Sequence, residues 1–392
     1  MSEPLKVMLV AGEASGDALG AGLARALKRR LGEDGVRFVG LGGSKMAAEG
    51  VASPFDIAEL SILGLVEMVT AAPRLLRRVA QTVKQAMDEQ PDVVVLIDSW
   101  GFTIRVAEGI RRRAPNLPLV KYVAPQVWAH NPGRARVLAR AVDHLLTIHG
   151  FEAPYFEAEG LATTFVGNSV LSWDISGADP ARLRAEIGAG PDDPILLVLP
   201  GSRPREIDRM LPPFEAAAAL LKEARPDLHV LVIAADTVAE VVKARVAGWR
   251  HKAHVVEGEA GKLDAMSAAT AAIACSGTVT TELALTGCPM VIAYRLDDLT
   301  HFVARFLVRT PYVALINIAA QAFIAPELIQ DRCTGAALAR EAARLLDDPA
   351  LRARQIAGQH DAIAKLGRGG PDPSEAAAEA VLGVIRERAG YI

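Results

Sequence analysis

The sequence predicts an α/β protein of two doubly wound domains facing a central cleft, and three observations carry that expectation. Short apolar runs alternate with longer amphipathic stretches, first over residues 5–167 and again over 195–295. The rhythm is interrupted once, by a Gly-, Pro- and Asp-rich stretch that begins at Trp173. The apolar mass is mostly Ala, Leu and Val, with aromatics at only 5%, which favours helices on parallel strands over an aromatic-rich sandwich. A length of 392 residues suits two cores better than one.

The elements follow in order. In the first half the apolar runs are LKVMLVA from Leu5, VRFVGLG from Val36, DVVVLID from Asp92, LVKYVAP from Leu119, DHLLTI from Asp143 and TTFVG from Thr163. Runs without a polar alternate are expected of strands buried on both faces, as in a parallel sheet. Between them Ala18–Leu31, Pro73–Glu89 and Thr103–Arg113 read as helices, so the units are βαβ. After Trp173 comes a linker with one short helix. Then ILLVLPGSR from Ile195, HVLVIAA from His229, AAIACSG from Ala271 and PMVIAYR from Pro289 restart the pattern. The end is helical over Ala336–Asp347, Leu351–Lys365 and Ser374–Arg388. We therefore read residues 1–172 and 173–370 as two Rossmann-like domains. Ligands of such sheets bind at the carboxyl ends of the strands, so the loops after these runs are where chemistry is expected.

Composition narrows the function. A formal net charge of −3 gives no electrostatic footprint for nucleic acid. The three cysteines, Cys275, Cys288 and Cys333, show no CxxC spacing, and a reducing cytosol is the expected compartment. The N-terminal segment lacks the basic and apolar regions of a signal peptide. No apolar run approaches about 18 residues, so no membrane-spanning helix is expected.

Five post-strand loops carry candidate residues. AGEASGDALG, from Ala11, holds Glu13, Ser15, Gly16 and Asp17. Its glycines permit a tight turn, and Asp17 is placed to cap the helix that follows. It is neither GxGxxG nor a Walker loop, and taken alone it reads first as a glycine turn with an N-cap. VLIDSWGFT, from Val95, places Asp98 at a strand end, as a candidate general base or as an N-cap for a helix beginning near Phe102. KYVAPQVWAH, from Lys121, presents Gln126 and Trp128; the indole would stack on a ligand or fill the core. LPGSRPREI, from Leu199, joins strand to helix through Gly201, Ser202 and Arg203. That helix start favours an anion, and Arg203 brings a planar fork suited to phosphate or pairs with Glu206. CSGTVTTELAL, from Cys275, offers Ser276, Gly277 and Thr278 at a second helix start, with Glu282 one turn further, where a carboxylate would take two ribose hydroxyls. Two phosphate-compatible helix starts and one such Glu in a single domain point to a nucleotide diphosphate. There is no DxD pair, no zinc-ligand spacing and no GxSxG elbow. The expectation is a metal-independent transfer without cofactor, with Arg203 and the helix dipoles offsetting charge on the leaving diphosphate.

In this order the segments AGEASGD, VGLGG, LSILGLVEM, the Asp98 strand end, KYVAPQVW, LPGSR, SGTVTTELAL, PMVIAYR and the Asn317 region resemble the lipid-A-disaccharide synthase family. They run from residue 7 to about 330. The resemblance implies a GT-B fold, with the helix of residues 371–392 crossing back to the N-terminal domain. It implies inverting transfer from UDP-2,3-diacylglucosamine to 2,3-diacylglucosamine 1-phosphate at the cytoplasmic face of the inner membrane. By motif, Ser202, Arg203, Gly277, Thr278, Glu282 and Asn317 would hold UDP. Asp98 would be the base on the acceptor 6-hydroxyl, and Glu13, Ser15, Gly16 and Asp17 would lie on the acceptor side. The apolar stretch Ile62–Val69 with Arg74, Arg77, Arg78 and Lys84 reads as an acyl-chain pocket beside an anionic membrane, or as a core helix with a basic outer face. Trp100, Gly101, Asn168 and Ser169 depart from the family's usual Pro–Asp and Gly–His–Pro patterns. Asn317–Gln321 lacks a common glycine. The competing readings are a UDP-GlcNAc 2-epimerase on the same architecture and a non-catalytic sugar-binding protein.

Overall fold

The structure is a computed structural model that describes residues 3–60, 65–297 and 310–388. The chain divides into two compact units, one of Met1–Ser169 with Gly369–Ile392 and the other of Val170–Arg368. Among the described residues each unit holds one six-stranded parallel sheet.

The first sheet comprises β1 (Leu5–Ala11), β2 (Val36–Leu41), β3 (Val93–Ile97), β4 (Leu119–Tyr122), β5 (His144–Thr147) and β6 (Ala162–Phe165), in the order β2-β1-β3-β4-β5-β6. Its central strands β1 and β3 are apolar at successive positions because each face meets a different helical layer. Met8 and Val10, with Val94 and Leu96, pack against Val83 and Ile110. Val7, Leu9 and Ala11, with Val95 and Ile97, pack with Leu23, Leu27 and Val381. The last of these comes from the helix Pro373–Arg388, which lies against the helix Ala14–Leu31. Glu375 there bonds Arg29 and Arg30 at 2.8 and 2.9 Å.

The second sheet comprises β7 (Ile195–Leu199), β8 (His229–Ile233), β9 (His254–Val256), β10 (Ala271–Cys275), β11 (Met290–Tyr294) and β12 (Glu327–Ile329), in the order β12-β11-β10-β7-β8-β9. The edge strands β9 and β12 were not foreseen: at 3 residues each, HVV and ELI are too short to make an apolar run. Helix boundaries also shift. The helix expected from Pro73 spans Leu65–Glu89, with that proline inside it. Of the apolar stretch read as an acyl-chain pocket, Ile62 and Leu63 lie outside the described residues, as do the side chains of Leu65, Val66, Met68 and Val69. Among the described residues no helix is long and apolar enough to cross a membrane.

Candidate functional site

In the second sheet β7 runs on to β8 at one side while β10 returns at the other. The loops after β7 and β10 therefore diverge, as they do wherever strand order reverses. Between them lies a cavity of about 490 Å³, walled by Gly201, Ser202, Arg203, Ser276, Gly277, Thr278 and Glu282. Seven residues from two separate loops and a helix thus meet on one surface.

The two helix starts are not alike. The helix Pro204–Ala224 is closed by its own Glu206. That carboxylate accepts from the Ser202 and Arg203 amides at 3.0 and 3.3 Å and pairs with the Arg203 guanidinium at 3.1 Å. Gly201 makes this possible: at φ +115° it takes a backbone that side chains disfavour, and a Cβ there would meet Glu206 at 2.7 Å. The helix Thr278–Leu285 has no side-chain cap, and a Cβ at Gly277 would meet nothing within 4 Å. Gly277, Thr278 and Val279 at this helix start line the cavity, a placement that favours an anion. Arg203 has 74% of its side chain exposed, and among the described residues its guanidinium pairs with Glu206 at the rim of this cavity.

Glu282 sits one turn into this helix, with 20% of its side chain exposed, and pairs with Lys262 at 3.4 Å. Lys262 also bonds Glu259 at 2.9 Å and lies 5.1 Å over the Trp173 ring. Neither Lys262 nor Trp173 was singled out from the sequence. Lys262 belongs to an ordinary amphipathic helix, Glu259–Ala268, and carries no signal of its own.

Asn317, expected at the UDP site, is not on the cavity wall. It is fully buried. Its amide donates to the Ala325 carbonyl and Glu327 Oε1 at 2.9 and 2.8 Å, and its Oδ1 accepts from the Ala325 amide at 3.1 Å. Glu327 in turn accepts from the Val313 and Ala314 amides. In this structure Asn317 is the rivet of the segment 313–327, with both amide protons donated within it.

In the first unit strand order reverses between β1 and β3, and the loops that follow them meet. Ser15 Oγ donates to Asp98 Oδ2 at 2.9 Å. Gly16 lets the helix Ala14–Leu31 lie close to the sheet, since a Cβ there would stand 3.2 Å from Ala11 Cβ and 3.4 Å from the Ile97 carbonyl. Asp98 is partly buried. It is not an N-cap: the helix behind it, Trp100–Arg113, begins after Ser99. Asp98 and Ser99 are both left-handed, at φ +50° and +42°, an uncommon state for two consecutive non-glycine residues.

Asp17 also departs from its expected place. It does not cap its own helix, where Glu13 occupies the N-cap position. It is buried and accepts from the Gly43, Lys45 and Met46 amides at 2.7, 3.0 and 2.9 Å, closing the helix Ser44–Ala47. Glu13 and Gln126 are exposed, and Trp128 is partly buried. The Trp128 indole lies edge-on to Phe151, with ring centroids 5.6 Å apart, and donates to Glu152 at 3.4 Å. Burial pushes the Glu152 carboxyl up to about 7. The neighbouring His149 is pushed down to about 4 by the same cause.

A family model described as lipid-A-disaccharide synthetase matches residues 7–381. The chain belongs to that family. A lipid-A-disaccharide synthase of Rhodospirillum centenum is 45% identical over 386 residues, covering 98% of this chain and 96% of that protein. Another, of Paramagnetospirillum magneticum, is 45% identical over 383 residues, covering 97% and 98%. Among solved structures, MurG of Acinetobacter baumannii matches with a TM-score of 0.59 at 15% identity, over 97% of this chain and 100% of that one. A UDP-GlcNAc 2-epimerase of Neisseria meningitidis bound to UDP-GlcNAc matches with a TM-score of 0.56 at 11% identity, over 98% and 100%. At such identities the likeness concerns the fold, which is of the GT-B type. Family membership favours the synthase over the epimerase, whose likeness is architectural alone.

Where this synthetase-family chain departs from the usual motif, the structure shows what the substitutes touch. Trp100 lies under the Arg134 guanidinium at 5.4 Å. Gly101 is exposed, and a Cβ there would meet only Arg105, at 3.9 Å, so a side chain would be accommodated. Ser169 opens a short 3-10 turn, Ser169–Ser172.

Proposed function

We propose that the chain is a lipid-A-disaccharide synthase. It would transfer 2,3-diacylglucosamine from UDP to the 6-hydroxyl of 2,3-diacylglucosamine 1-phosphate, with inversion. The observation that carries this reading is the convergence of an uncapped helix start, an exposed guanidinium and a first-turn Glu on one cavity, in a chain of this family.

The diphosphate sits on the Gly277–Thr278 amides. The exposed Arg203 turns from Glu206 to the leaving oxygen. Glu282, steadied by Lys262, takes the ribose hydroxyls. In the other unit Asp98 removes the acceptor's hydroxyl proton, with Ser15 fixing its carboxylate. The new bond forms between that oxygen and the donor C1. The bond from C1 to the diphosphate breaks, and UDP leaves with the electron pair. Charge developing on the leaving group is met by the helix start and by Arg203. Asn317 acts indirectly, by holding the segment 313–327. Glu13, Gln126 and Trp128 line the acceptor side.

Both substrates carry acyl chains, so the enzyme works at the cytoplasmic face of the inner membrane. The exposed Arg74, Leu76 and Arg77 on the helix Leu65–Glu89 suit contact with an anionic surface. The deciding assay incubates the protein with diacylated donor and acceptor and weighs the products by mass spectrometry. The acylated disaccharide 1-phosphate and UDP are expected in equal amounts. Conversion of UDP-GlcNAc to its manno epimer without acceptor would instead establish the epimerase.

A further inference from the structure

We propose that Lys121 is a positioning residue for Asp98: its buried side chain grips the Asp98 main-chain carbonyl and so fixes the left-handed turn that aims the carboxylate. This rests on the reading of Asp98 as the base.

Lys121 lies on β4, whose four residues are all buried, in register with Leu96 of β3. An apolar residue would pack there at no cost, whereas an ammonium loses its hydration. Burial pushes Lys121 down to about 7, against the pull of the Asp98 and Glu13 carboxylates. Such a charge on an apolar strand calls for a compensating use, and its contacts show one. Lys121 Nζ donates to the Asp98 carbonyl and, at 2.9 Å, to Thr103 Oγ1. Thr103 Oγ1 lies 2.8 Å from the same carbonyl and 3.0 Å from that of Ser99. A hydroxyl accepts from the ammonium while donating to one carbonyl, so the three groups close a bracket beneath the turn.

That bracket holds a conformation the chain would not choose. Asp98 and Ser99 are left-handed in succession, and the β-branched Val123, two residues after Lys121, is left-handed too, at φ +75°. Strained backbone persists only where surrounding contacts determine it, and it gathers at functional sites. The turn brings Asp98 Oδ2 to Ser15 at 2.9 Å. The ammonium grips the carbonyl and leaves the carboxylate for a proton.

The test compares Lys121→Met, which removes the donors but fills the space, with Lys121→Gln, which keeps a donor without charge. Asp98→Asn runs in parallel. In Lys121→Met, kcat should fall on the order of 100-fold, the scale for a reacting group displaced by about 1 Å. Donor KM and UDP affinity should stay unchanged, and the melting temperature should be no lower than wild type. Lys121→Gln should recover part of the lost kcat. An unaltered kcat in Lys121→Met overturns the proposal, as does an equal loss in both variants with a lowered melting temperature. If Lys121→Met does not fold, Thr103→Val removes the other arm of the bracket, and a wild-type kcat there also overturns it. Activity retained in Asp98→Asn would remove the base itself. A dead Asp98→Asn beside a fully active Lys121→Met sinks only the positioning role.

Discussion

Replacing Arg203 by Ala separates catalysis from folding at one residue. Among the described residues its guanidinium bonds Glu206 at 3.1 Å, and 74% of the side chain is exposed. An exposed pair of this kind contributes roughly 0.3–0.5 kcal/mol. For a unit of this size that shifts the melting temperature by only about 1–2 °C. The same guanidinium, turned to the leaving diphosphate, would be worth about 2.7–4 kcal/mol in the transition state, or roughly 100- to 1,000-fold in kcat. The helix start at Gly277 remains, so UDP should still bind. Arg203→Lys keeps the charge but loses the planar fork and should fall between. The measurements are UDP release under steady state, UDP affinity by calorimetry and a thermal melt. Unchanged kcat and KM in Arg203→Ala would refute the role. A melt lowered by many degrees would show the residue to be structural.

Three further outcomes follow from the geometry. Glu282→Gln weakens the ribose contact and releases Lys262, so UDP affinity should drop by about 1.5–3 kcal/mol, the range for hydrogen bonds to a charged group; equal calorimetric affinities would contradict the assignment. Asn317→Ala should appear first as lost stability, by about 1–3 kcal/mol for buried groups left unsatisfied, and denaturant titration should show this with little change in UDP affinity per folded molecule. The melting difference between Lys121→Met and wild type should depend on pH. Lys121 is held down to about 7 from an ordinary value of 10.5. Between those values the unfolded chain binds the proton more readily than the folded one, so wild-type stability rises with pH across that window. The advantage of Lys121→Met should be greatest below pH 7 and shrink toward pH 10; an advantage independent of pH would show that the ammonium is not depressed.

The pattern of the chain dictates the parallel sheets, because strands covered on both faces must be apolar at successive positions. DVVVLID and AAIACSG therefore declare themselves without a partner in view. It also determined where the chain must turn: the glycines of GSR and SGT stand at strand ends, and their loops enter helices directly. What it left open were the partners of polar groups. Asp17 reads as a local cap, yet it bonds amides 26 to 29 residues away. Ser15 finds Asp98 across 83 residues, and Lys262 finds Glu282 across 20. Whether a helix start lies open or is closed by its own Glu206, and whether Asn317 faces a ligand or a buried carboxylate, depends on strand order and on the packing of remote loops. Apolar burial leaves a periodic mark on the chain, whereas hydrogen-bond satisfaction is settled only when distant segments meet.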